Sequence, residues 1–271
     1  MGPSKMLAFA GAATALITTT AATAADFPAP PPVVADVGGW YLRGDIGMTN
    51  QQVKTLDNVL FPGTPQLVIR DKNFEAGMLF GIGAGYKWNS WFRFDVTGEY
   101  RGETGFHGLD TWNDGVGARF NNYTAKKSEW LVLANAYLDL GTWWCVTPFI
   151  GAGVGWSSVT IHSFRDAGIS GPGATGFPTM AYADAASKSN FAWALHAGLG
   201  YEVTRSFSVE LAYRYVNLGS GLSGDIIAFD GTNNVYNPMQ FKDITSHDIK
   251  FGVRWMLQPE PVYQAPLMRR G

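Results

Sequence analysis

Apolar and polar residues alternate along most of the chain from about residue 39 onward, the period-2 pattern of strands with two different faces. In the first segment Trp40, Leu42 and Ile46 share one face, whereas Arg43 and Asp45 share the other. None of the apolar faces carries a charge. Eight segments show the pattern, namely residues 40–48, 74–88, 92–101, 129–140, 150–157, 191–203, 207–215 and 248–257.

The connections between these segments alternate in length. Three are short, at about 89–91, 141–147 and 203–206, and four are long and rich in Gly, Asn, Asp and Ser, at about 50–72, 102–122, 162–189 and 217–245. Short turns at one end and long loops at the other are typical of transmembrane barrels. We therefore predict an all-β fold: an eight-stranded antiparallel up-and-down transmembrane β-barrel over residues 39–257, with four long extracellular loops.

The direction in which the two faces point separates a membrane barrel from a soluble one. A lipocalin-type barrel also has eight strands, but it would turn the apolar face inward. Here the charges and most strand glycines share one face, and the interior of an eight-stranded barrel has room only for side chains. Small residues relieve crowding there, and charges of both signs can pair. We predict a charge network in the lumen made of Arg43, Asp45, Glu75, Arg93, Asp95, Glu99, Arg101, Glu210, Arg214, Asp248, Lys250 and Arg254.

The aromatic residues of the predicted outer face fall into two groups. One group lies at the short-turn end: Trp40, Tyr86, Trp88, Trp91, Phe92, Trp143, Trp144, Tyr201, Phe207 and Trp255. The other lies near the long loops: Phe74, Tyr100, Trp130, Trp156, Phe191, Trp193, Tyr213 and Tyr215. Trp and Tyr favour the headgroup level of a bilayer, so the two groups predict the two girdles of a membrane barrel.

Composition narrows the class of protein further. Of 271 residues only 15% are charged, 14% are aromatic and 33 are glycine, and the formal net charge is −2. This balance gives no electrostatic reason to bind nucleic acid, and no nucleic-acid partner is predicted. The single cysteine excludes a disulfide framework and a four-cysteine zinc site.

The two ends of the chain differ from the middle. Lys5, the apolar run 7–17 and the small residues at 22–24 fit an export signal, and prolines follow at once. We predict a cleaved signal peptide over 1–25, a Pro-rich periplasmic linker over 26–38 and a Pro-rich periplasmic tail over 258–271. Export together with a barrel indicates the cell outer membrane of a Gram-negative bacterium, in contact with lipid and lipopolysaccharide.

Three sequence features resemble the small eight-stranded outer-membrane β-barrel family, which includes OmpA-like and surface-antigen barrels. They are the opening GWYLRGDIG at 39–47 and the Gly-x-Gly strands at 80–86 and 150–156, which are most similar to the alphaproteobacterial branch of immunogenic surface proteins. The last strand is also similar to the family's assembly signal, through Lys250, Gly252, Trp255 and Leu257. The resemblance implies that the barrel-assembly machinery reads these residues. In the family this strand commonly ends the chain, whereas here residues 258–271 follow.

No catalytic, cofactor-binding or metal-binding residues are predicted. The Gly-x-Gly runs keep a period of 2 and are not followed by a helix start, as a nucleotide loop would require. His107, His162 and His247 lie in or beside long loops, His196 points inward, and none has metal-ligand spacing with another. We predict a non-enzymatic surface protein that acts in structure or interaction, with host or environmental ligands bound through its loops. A small porin is the main alternative, and a haem-binding surface receptor or a lipid-active enzyme are weaker ones.

Overall fold

The computed structural model describes residues 38–171 and 173–257. The predicted signal peptide, most of the linker and the C-terminal tail lie outside the described residues. The described chain is almost entirely β-strand, with one short 3₁₀ helix at Phe61–Gly63. Within it, no helix has the length and apolar character needed to cross a membrane. The strands are β1 Gly39–Asp57, β2 Val68–Phe74, β3 Gly77–Lys87, β4 Phe92–Asn113, β5 Ala118–Asp139, β6 Val146–Ser170, β7 Phe177–Ala183, β8 Ala186–Glu202, β9 Phe207–Leu222, β10 Ile226–Ala228 and β11 Gln240–Met256.

Eight long strands close into a ring, as the alternation predicts. Each pairs antiparallel with its neighbours in the order β1, β3, β4, β5, β6, β8, β9 and β11. The last strand closes on the first, with Tyr41 opposite Met256. Because the number of strands is even, β1 begins and β11 ends at the same rim of the barrel, which is the rim of the short turns. Each of the eight segments inferred from the alternation corresponds to one of these strands, apart from single end residues and the start of segment 74–88, and the eight-stranded barrel is confirmed.

The strands are much longer than a membrane crossing requires. Strands β4 and β5 each have 22 residues and β6 has 25, whereas a tilted strand crosses a bilayer in about 9–11 residues. In β5 the outward-facing residues from Trp130 to Leu140 span about 25 Å along the barrel axis at about 3.3 Å per residue and a tilt of about 40°. The remainder of each strand therefore projects beyond the bilayer.

This projecting region makes up most of the four long connections. We call it the extracellular part, and it comprises residues 50–74, 102–128, 158–171, 173–190 and 217–247. The residues between the two aromatic girdles form the membrane part. The β4–β5 connection is a hairpin whose turn occupies only 114–117, and β2, β7 and β10 add short strands at the rim. The four long extracellular connections are present, and much of each is β-strand.

Several β-bulges lie near the boundary between the two parts. The register shifts between Arg101 and Thr104 in β4, around Ser163 in β6, around Asp243 in β11 and between Asn217 and Gly219 in β9. Ser163 and Asp243 both have a positive φ, of 54°. Each bulge restarts the alternation, so that residues three apart on the strand both point inward.

The predicted strand over residues 74–88 is longer than the strand in the structure. Segment 74–88 is interrupted at residues 75–76, between β2 and β3. The break reverses the facing, so that Phe74 is buried inside the barrel instead of joining the outer girdle. Glu75, predicted in the lumen, has a side chain that is 60% exposed and pairs with exposed His107 at 3.2 Å. Both assignments are therefore wrong.

Candidate functional site in the barrel interior

The middle of the lumen contains a connected set of ion pairs. Arg214 bonds Glu99 at 2.6 Å and Asp248 at 2.7 Å, and Arg101 bonds Asp248 at 2.8 Å and Glu129 at 2.9 Å. These contacts join β4, β5, β9 and β11 across the interior. Arginine can form several charge-assisted hydrogen bonds at once, which suits it to such a position.

The same set continues toward the periplasmic end. Lys250 bonds Glu99 at 2.6 Å and lies 3.5 Å from Asp45. Arg43 then bonds Asp45 and Asp95, each at 2.8 Å. Glu210 joins the last cations to the set, with Arg43, Arg93 and Arg254 between 3.1 and 3.5 Å from its carboxylate. Arg93 also bonds Asp139 at 3.1 Å.

Among the described residues the charges of this set balance. Its cations and carboxylates are equal in number, because burial of an unpaired charge costs several kcal/mol. The structure places every predicted network residue except Glu75 in this set. The prediction missed three members, Lys127, Glu129 and Asp139, although each continues the inward phase of β5. The cations are Arg43, Arg93, Arg101, Lys127, Arg214, Lys250 and Arg254; the carboxylates are Asp45, Asp95, Glu99, Glu129, Asp139, Glu210 and Asp248.

Glycines on the inner face make room for these long side chains. A Cβ at Gly81 would lie 2.8 Å from Cγ of Glu99, and one at Gly252 would lie 2.6 Å from Oδ1 of Asp45. The Gly-x-Gly pattern of β3 therefore has a packing cause. Gly252 is also a residue of the predicted assembly signal. A larger side chain at this position would collide with Asp45.

The lumen is filled at the level of the charges. Arg93, Arg101 and Arg214 expose no more than 1% of their surface. Their neighbours therefore leave no room for water beside these three side chains. At the periplasmic end the Arg93 guanidinium lies against the rings of Tyr137 and Phe149, at 4.3 and 4.6 Å from their centroids. These cation–π contacts add to the packing.

An apolar core fills the interior above the charges. It begins beside the network at Leu131 and Leu133 and continues into the extracellular part. Phe106 and Phe241 are in edge-to-face contact there, with ring centroids 4.9 Å apart. Other buried members are Val53, Leu56, Phe74, Tyr123, Val159, Ile161, Phe164, Val216, Leu218, Ile226, Met239 and Ile244. The inner face is therefore polar over most of the membrane part and mainly apolar beyond it, and Leu131 and Leu133 are apolar inward-facing residues of the membrane part.

A cavity of about 310 Å³ lies above this core, in the extracellular part. Asp110, Tyr123 and Asp166, from β4, β5 and β6, are among the polar residues that line it. The Tyr123 hydroxyl donates a hydrogen bond to Asp110, and the backbone N–H of Asn121 donates another at 3.2 Å. Burial, and to a lesser extent the charge of Asp110, raises the pKa of Asp166 to about 7. Burial also raises the pKa of Asp110.

The outer face of the extracellular part is polar and carries separate ion pairs. Lys126 bonds Glu103 at 2.6 Å, and Lys242 bonds Asp57 at 2.5 Å. His162 lies 3.2 Å from Glu103. In the part of the chain that the structure describes, no three His, Cys, Asp or Glu side chains come together in a group that could hold a metal ion.

The residues of the predicted assembly signal are divided between the two faces of β11. Trp255 and Leu257 are exposed on the outer face, at the periplasmic rim. Lys250 and Gly252 point inward, into the charge network. Their reading by the barrel-assembly machinery stays a prediction.

Apolar residues outside, paired charges inside and two aromatic girdles define an integral membrane barrel of the bacterial outer membrane. Residues 11–256 match the family described as outer membrane protein beta-barrel domain, and the chain belongs to that family. An uncharacterized protein of Brucella suis biovar 1 (strain 1330) is 33% identical over 236 residues, which cover 76% of this chain and 79% of the relative.

The chain also has more distant similarities to a protein sequence and to solved structures. Outer membrane protein PagN of Salmonella typhimurium is 27% identical over 193 residues, covering 67% of this chain and 75% of PagN. Among solved structures, OprG from Pseudomonas aeruginosa has a TM-score of 0.46 at 11% identity, covering 82% of this chain and 98% of OprG. Neisserial surface protein A has a TM-score of 0.42 at 15% identity, covering 81% and 99%.

Proposed function

We propose that this chain is a non-enzymatic outer-membrane protein whose extracellular part presents a fixed surface to molecules of the envelope, the host or the environment. The observation that carries the proposal is the apolar core of the extracellular part. Irregular loops would need no such core, whereas strands packed on one hold their outer side chains in a constant arrangement. The polar surface of the extracellular part, on which Glu103, Lys126 and Lys188 are exposed, is the surface proposed to bind.

Adherence of whole cells tests this role. We expect a non-adherent Gram-negative strain to adhere to cultured epithelial cells several-fold more when it produces this protein. Lys126→Glu with Lys188→Glu should return adherence toward the empty-vector level, because both side chains are exposed in the extracellular part and neither packs in the core. The matched control is Arg205→Glu, in an exposed periplasmic turn, which should not change adherence. Adherence equal to that of the empty vector would contradict the proposal.

Surface display in these strains can be measured with the native cysteine. Cys145 is exposed in a periplasmic turn, so a membrane-impermeant maleimide should leave intact cells unlabelled. The Lys188→Cys variant in a Cys145→Ser background should be labelled on intact cells. Labelling of the native chain on intact cells would contradict the proposed orientation, because Cys145 would then lie on the cell surface.

The alternative of a small porin makes a different prediction. The proposal expects purified, folded protein to be silent in planar bilayers, because the buried arginines and the apolar core together fill the lumen. Discrete single-protein conductance steps would favour the porin. The Phe106→Ala variant, which has a smaller side chain in the apolar core, is the informative comparison. Its truncation should add conductance only if the rest of the lumen is open.

A further inference from the structure

The extracellular cavity is lined by two acidic residues, and the rest of its lining is mainly apolar with some uncharged polar side chains such as Asn58, Thr64 and Thr179. Phe61 comes from the connection after β1, Trp112 from β4 and Met180 from β7. Facing them are the carboxyl groups of Asp110 and Asp166. Among the described residues that line the cavity there is no Lys, Arg or His. The cavity is therefore an acidic site without a cation of its own, unlike the balanced network below it.

The carboxyl groups of Asp110 and Asp166 differ in their hydrogen-bond partners. Asp110 accepts hydrogen bonds from Tyr123 and Asn121. Asp166 has a buried carboxylate oxygen, Oδ1, with no hydrogen-bond partner. A buried carboxylate that lacks a donor or a counter-ion is costly. The raised pKa of Asp166 reports the same deficit, because burial and a neighbouring like charge both disfavour its ionised form. A bound cation would offset this cost.

The walls indicate what kind of cation fits. A calcium ion needs about 6–8 oxygen ligands around it, but among the described residues only two carboxyl groups line this cavity, and most of the remaining lining is apolar. The rings of Phe61 and Trp112 are suited to an apolar body, and aromatic faces also attract organic cations. The volume of about 310 Å³ is at the lower end of the range of small-molecule sites.

We propose that this cavity binds a small organic cation, a protonated amine with an apolar body, whose ammonium group lies between Asp110 and Asp166. This goes beyond the surface role proposed above, which requires no small ligand. Its test uses purified protein and does not depend on adherence, so each proposal can fail without the other.

Calorimetric titration of the full chain, folded in detergent, tests the site. Phenethylammonium is the probe at pH 8, and 2-phenylethanol and phenylacetate are its neutral and anionic counterparts of similar shape. We expect saturable binding of one phenethylammonium, at least tenfold weaker binding of the alcohol, and none of the anion. Asp166→Asn should weaken binding of the amine at least tenfold. Glu103→Gln changes the charge equally on the outer face and should have no effect.

The amine-to-alcohol comparison decides the proposal with the native chain alone. Equal affinity for the two compounds would overturn it, as would displacement of the amine by equimolar calcium chloride. Among folded variants, full affinity in Asp166→Asn would also overturn it. If Asp166→Asn does not fold, Ala181→Phe, which enlarges a side chain lining the cavity, replaces it. Loss of amine binding in that variant supports the site, and unchanged binding contradicts it.

Discussion

The same strands have opposite polarity in the membrane part and in the extracellular part. In the membrane part of β4, Val96 faces outward and buried Asp95 and Glu99 face inward. Further along the same strand, exposed Glu103 faces outward and Phe106 is buried inside. The change of solvent from hydrocarbon to water explains the inversion. Apolar groups face lipid in one part and avoid water in the other.

This inversion of polarity explains where the charged side chains lie in each part. In hydrocarbon, charges can only be placed inside, so they form one balanced and fully buried network. In water, charges can also lie on the outer face, as separate pairs such as Lys242–Asp57, whose side chains are about 40% exposed. The interior of the extracellular part is then free for an apolar core. Ion pairs of similar length should therefore contribute differently to the free energy of unfolding in the two parts.

The largest expected effect comes from removing a buried cation. Arg214→Ala removes one of the two cations bonded to Glu99 and to Asp248 and leaves the buried network with one carboxylate in excess, and loss of one member of a buried ion pair costs about 3–5 kcal/mol. Urea unfolding in lipid vesicles, followed by tryptophan fluorescence, would measure the change in the free energy of unfolding. Lys242→Ala breaks an exposed pair in the extracellular part and should cost no more than about 1 kcal/mol. A similar cost for both variants would contradict the comparison.

A lysine added to the outer face should also give different results in the two parts. Val96→Lys places a charge in the hydrocarbon and should cost about 2–4 kcal/mol. Asn122→Lys, on the exposed outer face of the β5 extension, should change the free energy of unfolding by no more than about 0.5 kcal/mol. The same vesicle assay measures both. A large cost for Asn122→Lys would mean that the bilayer reaches further along the strands than the girdles indicate.

How much of this arrangement could be read from the sequence depends on the region. Strands of the membrane part follow one simple pattern, and their facing was predicted from residues such as Trp40 and Arg43. In the extracellular part the pattern inverts and is interrupted by bulges, as at Ser163 and Asp243, so it resembles a loop. Glu75 was misplaced for the same reason, because a two-residue break resets the alternation without any proline to mark it.

The two candidate sites differ in the same way. Most of the charge network could be predicted, because inward facing follows from the period of each strand. Lys127 and Glu129 were within reach too, as their spacing continues the phase of β5. The acidic cavity could not be predicted, since Phe61, Asp110, Asp166 and Met180 come from four separate stretches of chain. Their proximity depends on the closure of the barrel and on the added strand β7.

The smallest expected effect concerns pH and the carboxyl group of Asp166. Its pKa of about 7 in the folded chain lies above that of a free aspartic acid, so the folded state binds more protons between about pH 4 and pH 7. Stability from this group is therefore gained as the pH falls from 8 to 6, by about 1 kcal/mol. The ionisable groups facing Asp166 are Asp110 on β4 and Tyr123 on β5, and the β7 residues lining the cavity add none.

Asp166→Asn should remove this dependence, because an amide does not titrate, and it should stabilise the extracellular part most at pH 8. Hydrogen exchange of the β5–β6 amides near Tyr123, measured at pH 6 and pH 8 and corrected for the intrinsic rate, reports the local free energy of opening. Glu103→Gln is the matched control on the outer face and should retain the dependence. The membrane part should show no such change in either variant, since the cavity lies outside the bilayer. If Asp166→Asn kept the full pH dependence, the unmatched carboxyl group would not be the source, and the contrast between a balanced network and an unbalanced cavity would lose its energetic basis.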